Sequence, residues 1–234
     1  MADFNSAQGV ILFDLDGTLV DTAPDIVAAA NLMLAELNAA ALPFDLISSF
    51  IGKGVPNLVR CVMNVGDLAG NIEAAHSEAL FYKHYAQTNG RIGAVYPGVV
   101  EGLGSLKESG YRLACVTNKP YQLACDLLHA TGLMAYFELV VGGDSLVQMK
   151  PAPQPLWHAC RTLGSTPEIA LMIGDSPVDS AAARAAGMPV LIVKYGYPGS
   201  AGLAALECDA FIDSFVDIPA FFTSQRKALM PAPA

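Results

Sequence analysis

Two aspartates separated by one residue, Asp14 and Asp16, stand directly after the short apolar run Val10 to Phe13 and are followed by Gly17 and Thr18. If that run is a strand of an open parallel sheet, Asp14 lies beyond its carboxyl end, where such sheets bind their ligands. Asp16 then falls where the chain leaves the strand, and Gly17 permits a tight exit. A carboxylate pair in this position suits either a divalent cation with oxygen ligands or a nucleophile beside a general acid/base. The bland reading of an isolated D-x-D-G is a solvated turn.

Three further runs end in polar groups of the same kind. Thr117-Asn118 closes the run that begins at Arg112, offering a hydroxyl and backbone N–H groups to phosphate oxygens. Lys150-Pro151 follows the run at Glu138 to Val141 by way of Gly142-Gly143-Asp144, and its ammonium can neutralise phosphate. Gly174-Asp175-Ser176-Pro177-Val178-Asp179 ends the run Ala170 to Ile173 and opens a helical stretch, adding two carboxylates. Singly, Thr117 reads as a cap, Lys150 as a surface charge, and Asp175 and Asp179 as acids at a helix N-terminus. Four such coincidences at successive strand ends point to a shared site.

The elements that must position these residues alternate along the chain. Strands are expected at Val10 to Phe13, Arg112 to Thr117, Glu138 to Val141, Ala170 to Ile173 and Val190 to Val193. Helices are expected between them at Gly98 to Ser109, Tyr121 to Thr131, Pro153 to Leu163 and Val178 to Ala186, several ending at glycine (Gly110, Gly132, Gly164, Gly187). This is the pattern of an α/β doubly wound, Rossmann-like parallel sheet with helices on both faces. The interval from Thr22 to Thr88 breaks the alternation. It carries helical spacing only: a first helix near Pro24 with Thr22 as its cap, then Pro56 to Asn64 and Ile72 to Ala86. The expected organisation is a core of residues 1–20 and 90–234 with an all-helical cap, 21–89, inserted after the first strand.

The motifs DLDGTL, VTN, KP and GDSPVD with the following SAAARAAGM, in that order, resemble those of the haloacid dehalogenase superfamily, close to bacterial phosphoglycolate phosphatases. The resemblance spans nearly the whole chain and includes the helical insertion. It implies Asp14 as nucleophile forming an aspartyl phosphate, and Asp16 as the acid that protonates the leaving alcohol and then activates water. It implies Mg2+ held by the Asp14 carboxylate, the Asp16 backbone carbonyl and the Asp175 carboxylate, with Asp179 behind, and phosphoryl oxygens held by Thr117, Asn118 and Lys150. Superfamily members that cleave carbon–halogen or carbon–phosphorus bonds usually lack the second aspartate of the first motif, so the presence of Asp16 disfavours those chemistries.

Substrate choice is expected to lie in the insertion, where cations are sparse. Lys53, between Gly52 and Gly54, with Arg60 about two helical turns later, is the candidate to meet a substrate carboxylate; an ordinary surface cation is the alternative reading of each. The four histidines have no motif context. Tyr195 and Tyr197, among glycines, sit on a strand-end loop able to line the site.

Composition bounds the rest. With 234 residues, 53% of them hydrophobic and 15% charged, the chain can bury a sizeable core and is too apolar for disorder. Mean hydropathy is +0.41, but no run approaches the ~18 apolar residues of a membrane span. The first eight residues lack the pattern of a signal peptide, and the tail from Met230 reads as disordered. Five cysteines without a C-x-x-C pair read as buried hydrophobes in a reducing compartment. A net charge of −9 without a basic run argues against nucleic acid. The expectation is a cytoplasmic monomer or homodimer acting on a small phosphate ester, for which the resemblance alone implies 2-phosphoglycolate. The alternatives are a sugar phosphomutase of the same superfamily, a pyrophosphatase, a sugar or nucleotide phosphatase, or a non-catalytic binding protein on this fold.

Overall fold

In the computed structural model, which describes residues 9–70, 72–199 and 202–218, the chain opens with β1 (Val10–Phe13) and β2 (Val20–Asp21). Four helices follow: α1 (Ala23–Glu36), α2 (Phe44–Ser48), α3 (Val55–Val65) and α4 (Ala74–Thr88). The chain then returns through β3 (Ala94–Val95) and continues as α5 (Val99–Glu108), β4 (Arg112–Val116), α6 (Tyr121–Ala130) and β5 (Leu139–Val141). It ends with α7 (Gln154–Thr162), β6 (Ala170–Gly174), α8 (Pro177–Ala186), β7 (Val190–Val193) and β8 (Ala210–Ile212). The first eight residues and the tail lie outside the described residues, and so do the expectations made for them.

Six strands form one parallel sheet in the order β5-β4-β1-β6-β7-β8, with β1 at the point where the winding direction reverses. Every β1 residue is buried, so the alternation of side chains along a strand sends both sets into a core. Ile11, Phe13, Cys115 and Ile173 pack with Leu103 of α5 and Leu127 of α6 on one face. Val10, Leu12, Val116 and Met172 pack with Leu156 of α7 and Ala183 of α8 on the other. Burying one such leucine contributes about 2 kcal/mol. Gly110, Gly132, Gly164 and Gly187 end α5, α6, α7 and α8 with positive φ, as their positions predict.

The helices α1 to α4 bury a separate core that includes Met33, Leu34, Val62 and Phe81. Two elements here were not expected from the sequence, the five-residue α2 and the antiparallel pair β2–β3, which joins the two crossings between the helical insertion and the sheet. The crossings are also tied by a side chain. Asp25, fully buried in α1, accepts the N–H groups of Gly90, Arg91, Ile92 and Gly93 at 3.0, 3.2, 2.8 and 3.3 Å. Gly93 must be glycine, since a Cβ there would lie 2.1 Å from the Asp21 carbonyl oxygen.

The expected capping by Thr22 is corrected. Thr22 occupies the N-cap position of α1, but its side chain makes no capping bond and its Oγ1 is buried without a partner. The Ala23 N–H is instead satisfied by the Tyr197 hydroxyl at 2.9 Å, a tertiary contact that local sequence does not reveal. All five cysteines are free; Cys115 and Cys160 are buried as expected, whereas Cys61, Cys125 and Cys208 are only partly so, Cys208 packing against the core cluster that holds Cys160. Among the described residues no helix is long and apolar enough to cross a membrane.

Candidate active site

The register of the sheet delivers the predicted residues to one edge. Phe13 is level with Cys115 on β4 and Ile173 on β6, and the Asp14 N–H extends that ladder to the Ile173 carbonyl at 2.9 Å. The Thr117 N–H likewise bonds the Val141 carbonyl at 2.9 Å. Asp14, Thr117 and Asp175 therefore emerge together, one or two residues past the paired segments.

Asp14, Asp175 and Asp179 each place a carboxylate oxygen within 4.8 Å of the others, and all three are buried. Lys150 lies among them, 3.0 Å from Asp14 Oδ1 and 2.6 Å from Asp179 Oδ1. Its burial disfavours the ammonium, but the two carboxylates outweigh that and hold its pKa above the ordinary value. Asp14 is pushed up to about 7, first by burial and then by the Asp179 charge, with Lys150 opposing. Burial, then the Asp179 and Asp14 charges, also hold Asp175 well above the carboxylate range.

Neighbouring donors fix these side chains. Thr18 Oγ1 donates to Asp175 Oδ1 at 2.9 Å, and the Tyr197 N–H donates to Asp175 Oδ2 at 2.6 Å. Tyr195 donates its hydroxyl to the Thr18 carbonyl, so both loop tyrosines support the site. Asp179 is the N3 residue of a capping box with Ser176, and its Oδ2 accepts from the Asp175 N–H, the Ser176 N–H and the Ser176 hydroxyl. Both oxygens of Asp179 are thus committed within the protein. Gly17 has φ +86°, and a Cβ there would stand 2.3 Å from Asp175 Oδ2, so only glycine lets the end of β1 approach the end of β6.

The residues present fit a divalent cation. Four carboxyl groups (Asp14, Asp16, Asp175, Asp179) face two ammonium groups, Lys150 and Lys119, so ionising all four leaves two negative charges for a cation to compensate. An all-oxygen donor set of this kind suits magnesium.

Across from this edge the insertion closes a cavity of about 40 Å³. The core contributes Asp14, Asp16, Thr117, Asn118 and Lys119; the insertion contributes Ile51, Gly52, Gly54, Leu58, Phe81 and Tyr85, among others. Asn118 bridges the two parts, donating to the Gly52 carbonyl at 2.9 Å and to the Lys150 carbonyl at 2.8 Å. Thr117 is buried, and its Oγ1 accepts the Lys119 N–H at 3.1 Å. Sequence reasoning missed Lys119, whose Nζ lies 3.2 Å from Asp16 Oδ1, and Tyr85, to whose hydroxyl the same ammonium donates. The signal for Lys119 was its place directly after Thr117-Asn118; Tyr85 had none, being one aromatic among several on α4.

Lys53 and Arg60 are not brought into the cavity. Both are exposed; Arg60 bonds the Asn57 side chain at 2.7 Å, and Lys53 sits between two glycines that do face the cavity. A larger cleft of about 360 Å³, lined by Leu146, Val147, Trp157 and His158 among others, contains none of the strand-end residues.

Comparison with known proteins shows the family to which the chain belongs. A curated relative from Cupriavidus necator, named phosphoglycolate phosphatase, plasmid, is 56% identical over 97% of this chain and 99% of its own. One from Nitrosospira multiformis, named phosphoglycolate phosphatase, is 45% identical over 88% of this chain and 92% of its own. The crystal structure of a predicted phosphoglycolate phosphatase from Haemophilus somnus 129pt superposes with a TM-score of 0.87 at 33% identity, covering 93% of this chain and 99% of that one. The haloacid dehalogenase-like hydrolase family profile matches residues 11–193, and the chain belongs to that family.

Proposed function

We propose that the chain is a magnesium-dependent phosphatase that hydrolyses 2-phosphoglycolate through an aspartyl phosphate on Asp14. The observation that carries this reading is the meeting, at one sheet edge, of buried Asp14, half-buried Asp16, Lys150 and two further buried acids. Relatives that match this chain over most of their length bear the name phosphoglycolate phosphatase, which supports the choice of substrate.

Lys150, the Thr117 hydroxyl and the Asn118 backbone N–H hold the phosphoryl group in line with Asp14, which is the positioning that dominates phosphoryl transfer. An Asp14 carboxylate oxygen bonds to phosphorus as the ester P–O bond breaks, and Asp16 gives its proton to the departing oxygen to release glycolate. Asp16 then takes a proton from a water molecule whose oxygen bonds to phosphorus. The acyl phosphate P–O bond breaks, freeing phosphate and restoring the Asp14 carboxylate. The Asp14 and Asp175 carboxylates and the Asp16 backbone carbonyl would hold magnesium, with Asp179 keeping Asp175 and Lys150 in place. When bound, the ion supplies charge neutralisation to the phosphoryl oxygens and to the crowded acids.

The test is phosphate release from a panel of small esters, with and without magnesium, by wild type and Asp14→Asn. Magnesium-dependent release that vanishes in the variant supports the phosphatase, and phosphoglycolate should lead the panel. No release from any ester by folded, magnesium-bound protein overturns it. Movement of phosphate within a sugar phosphate instead would indicate a mutase.

A further inference from the structure

A substrate that carries a carboxylate next to its phosphate ester needs a cation near the leaving oxygen, and the structure offers one that the proposed reaction leaves unused. In 2-phosphoglycolate a single methylene separates the ester oxygen from the carboxylate carbon, so the carboxylate oxygens lie roughly 3 Å from the ester oxygen by ordinary bond lengths. Asp16 must come within hydrogen-bonding distance of that same ester oxygen to protonate it. The Lys119 ammonium is 3.2 Å from Asp16 Oδ1 and faces the same cavity. A group fixed beside the acid is therefore within reach of the carboxylate whenever the ester oxygen is within reach of the acid.

The donor inventory agrees. An ammonium has three N–H donors. Those of Lys119 serve Asp16 and the Tyr85 hydroxyl, which leaves one uncommitted. Tyr85 accepts in that bond, so its own O–H proton is also available. The ammonium further stacks over the Tyr85 ring, 4.3 Å from its centroid, which holds the two groups as one unit. Among the described residues lining the cavity, Lys119 is the one cation. Lys150, paired with Asp14 and Asp179, does not line the cavity and has its remaining donor assigned to the phosphoryl group, while Lys53 and Arg60 face solvent. The opposite wall is apolar (Ile26, Ile51, Val55, Leu58 and Phe81), which excludes water from an ion pair and offers nothing to a chain of sugar hydroxyls.

We propose that Lys119, with Tyr85 supplied by the insertion, is the specificity-determining pair that binds the carboxylate of a short α-phosphonooxy acid. The inference rests on the phosphatase reading above and deepens it. It also gives the insertion a direct part in recognition, since Tyr85 belongs to α4 of the insertion and Lys119 to the core.

The experiment compares kcat/KM for 2-phosphoglycolate and for 2-hydroxyethyl phosphate, which has the same length but no carboxylate. Lys119→Met should lose about 100-fold on phosphoglycolate, the scale of one buried charge-assisted contact, and under about fivefold on the neutral ester. Most of the selective loss should appear in KM, and Lys119→Arg should recover part of it. Tyr85→Phe leaves the Lys119–Asp16 pair intact and should lose about tenfold on phosphoglycolate alone, which decides the matter if Lys119→Met does not fold. Equal losses on both esters, or none, would overturn the proposal by reducing Lys119 to a support for Asp16. A wild type that hydrolyses the neutral ester as well as phosphoglycolate would overturn the substrate assignment itself.

Discussion

Removing the nucleophile should make the metal-free protein more stable. Asp14 is buried beside two other acids, and its pKa in the folded chain rises from 3.8 to about 7. An acid raised in this way contributes stability at pH values below 3.8 and loses it as pH rises through 7. At about 1.4 kcal/mol per pH unit, the full interval corresponds to ~4 kcal/mol held against the folded state at pH 8. Protons shared among neighbouring carboxylates already relieve part of this in the wild type, so the expected gain from Asp14→Asn is about 2 kcal/mol, or roughly 4–8 °C in Tm for a chain of this size. Asparagine matches the carboxyl in shape, and Lys150 keeps Asp179 as its partner. The assay is thermal and urea denaturation in EDTA at pH 8 and pH 5. The variant should be the more stable at pH 8, with the advantage shrinking at pH 5 as the wild type takes up its proton. Saturating magnesium should reverse the order at pH 8, because the wild type alone keeps the full ligand set. A variant less stable than wild type at pH 8 in EDTA, or an advantage that does not change with pH, would refute the reasoning.

Two further outcomes follow from the same site. Lys150→Met leaves Asp14 and Asp179 buried without their common cation and should cost about 3–5 kcal/mol at pH 8 in EDTA, measured by urea denaturation; adding Asp14→Asn should restore part of the loss. Gly17→Ala puts a Cβ 2.3 Å from Asp175 Oδ2 at a position with φ +86°. It should lower magnesium affinity at least tenfold by calorimetric titration, and an unchanged affinity would show that Asp175 yields without cost.

The sheet and its chemical edge were legible because a parallel strand announces itself as a continuous apolar run and its carboxyl end as the first polar residue after it. Asp14, Thr117 and Asp175 needed nothing more. The elements that escaped notice are those whose stability comes from elsewhere. β2 and β3 are two residues each, too short for any alternation; β8 is a three-residue edge strand held by its pairing to β7; and α2 is a five-residue turn against a core built by its longer neighbours. Thr22 reads as a cap by residue type, yet the hydroxyl that does the work comes from Tyr197, on the loop after β7. The Lys119–Tyr85 contact spans 34 residues and two structural units, and pairing at that distance leaves no local trace. Lys53 was conspicuous as a cation between glycines, but the glycines rather than the lysine face the cavity.

The knot of hydrogen bonds at Asp25, together with the β2–β3 pair, means that the chain departs from the sheet and rejoins it at a single point. Entry and exit that lie side by side are the condition under which one segment can replace another without repacking its host. The carboxylate edge and the structure that covers it are therefore separable objects for evolution: the first can stay fixed while the second is lengthened, exchanged or rebuilt around a different substrate. On this view Asp25 and Gly93 mark the graft junction, and the chemistry of the edge is inherited independently of what is grafted there.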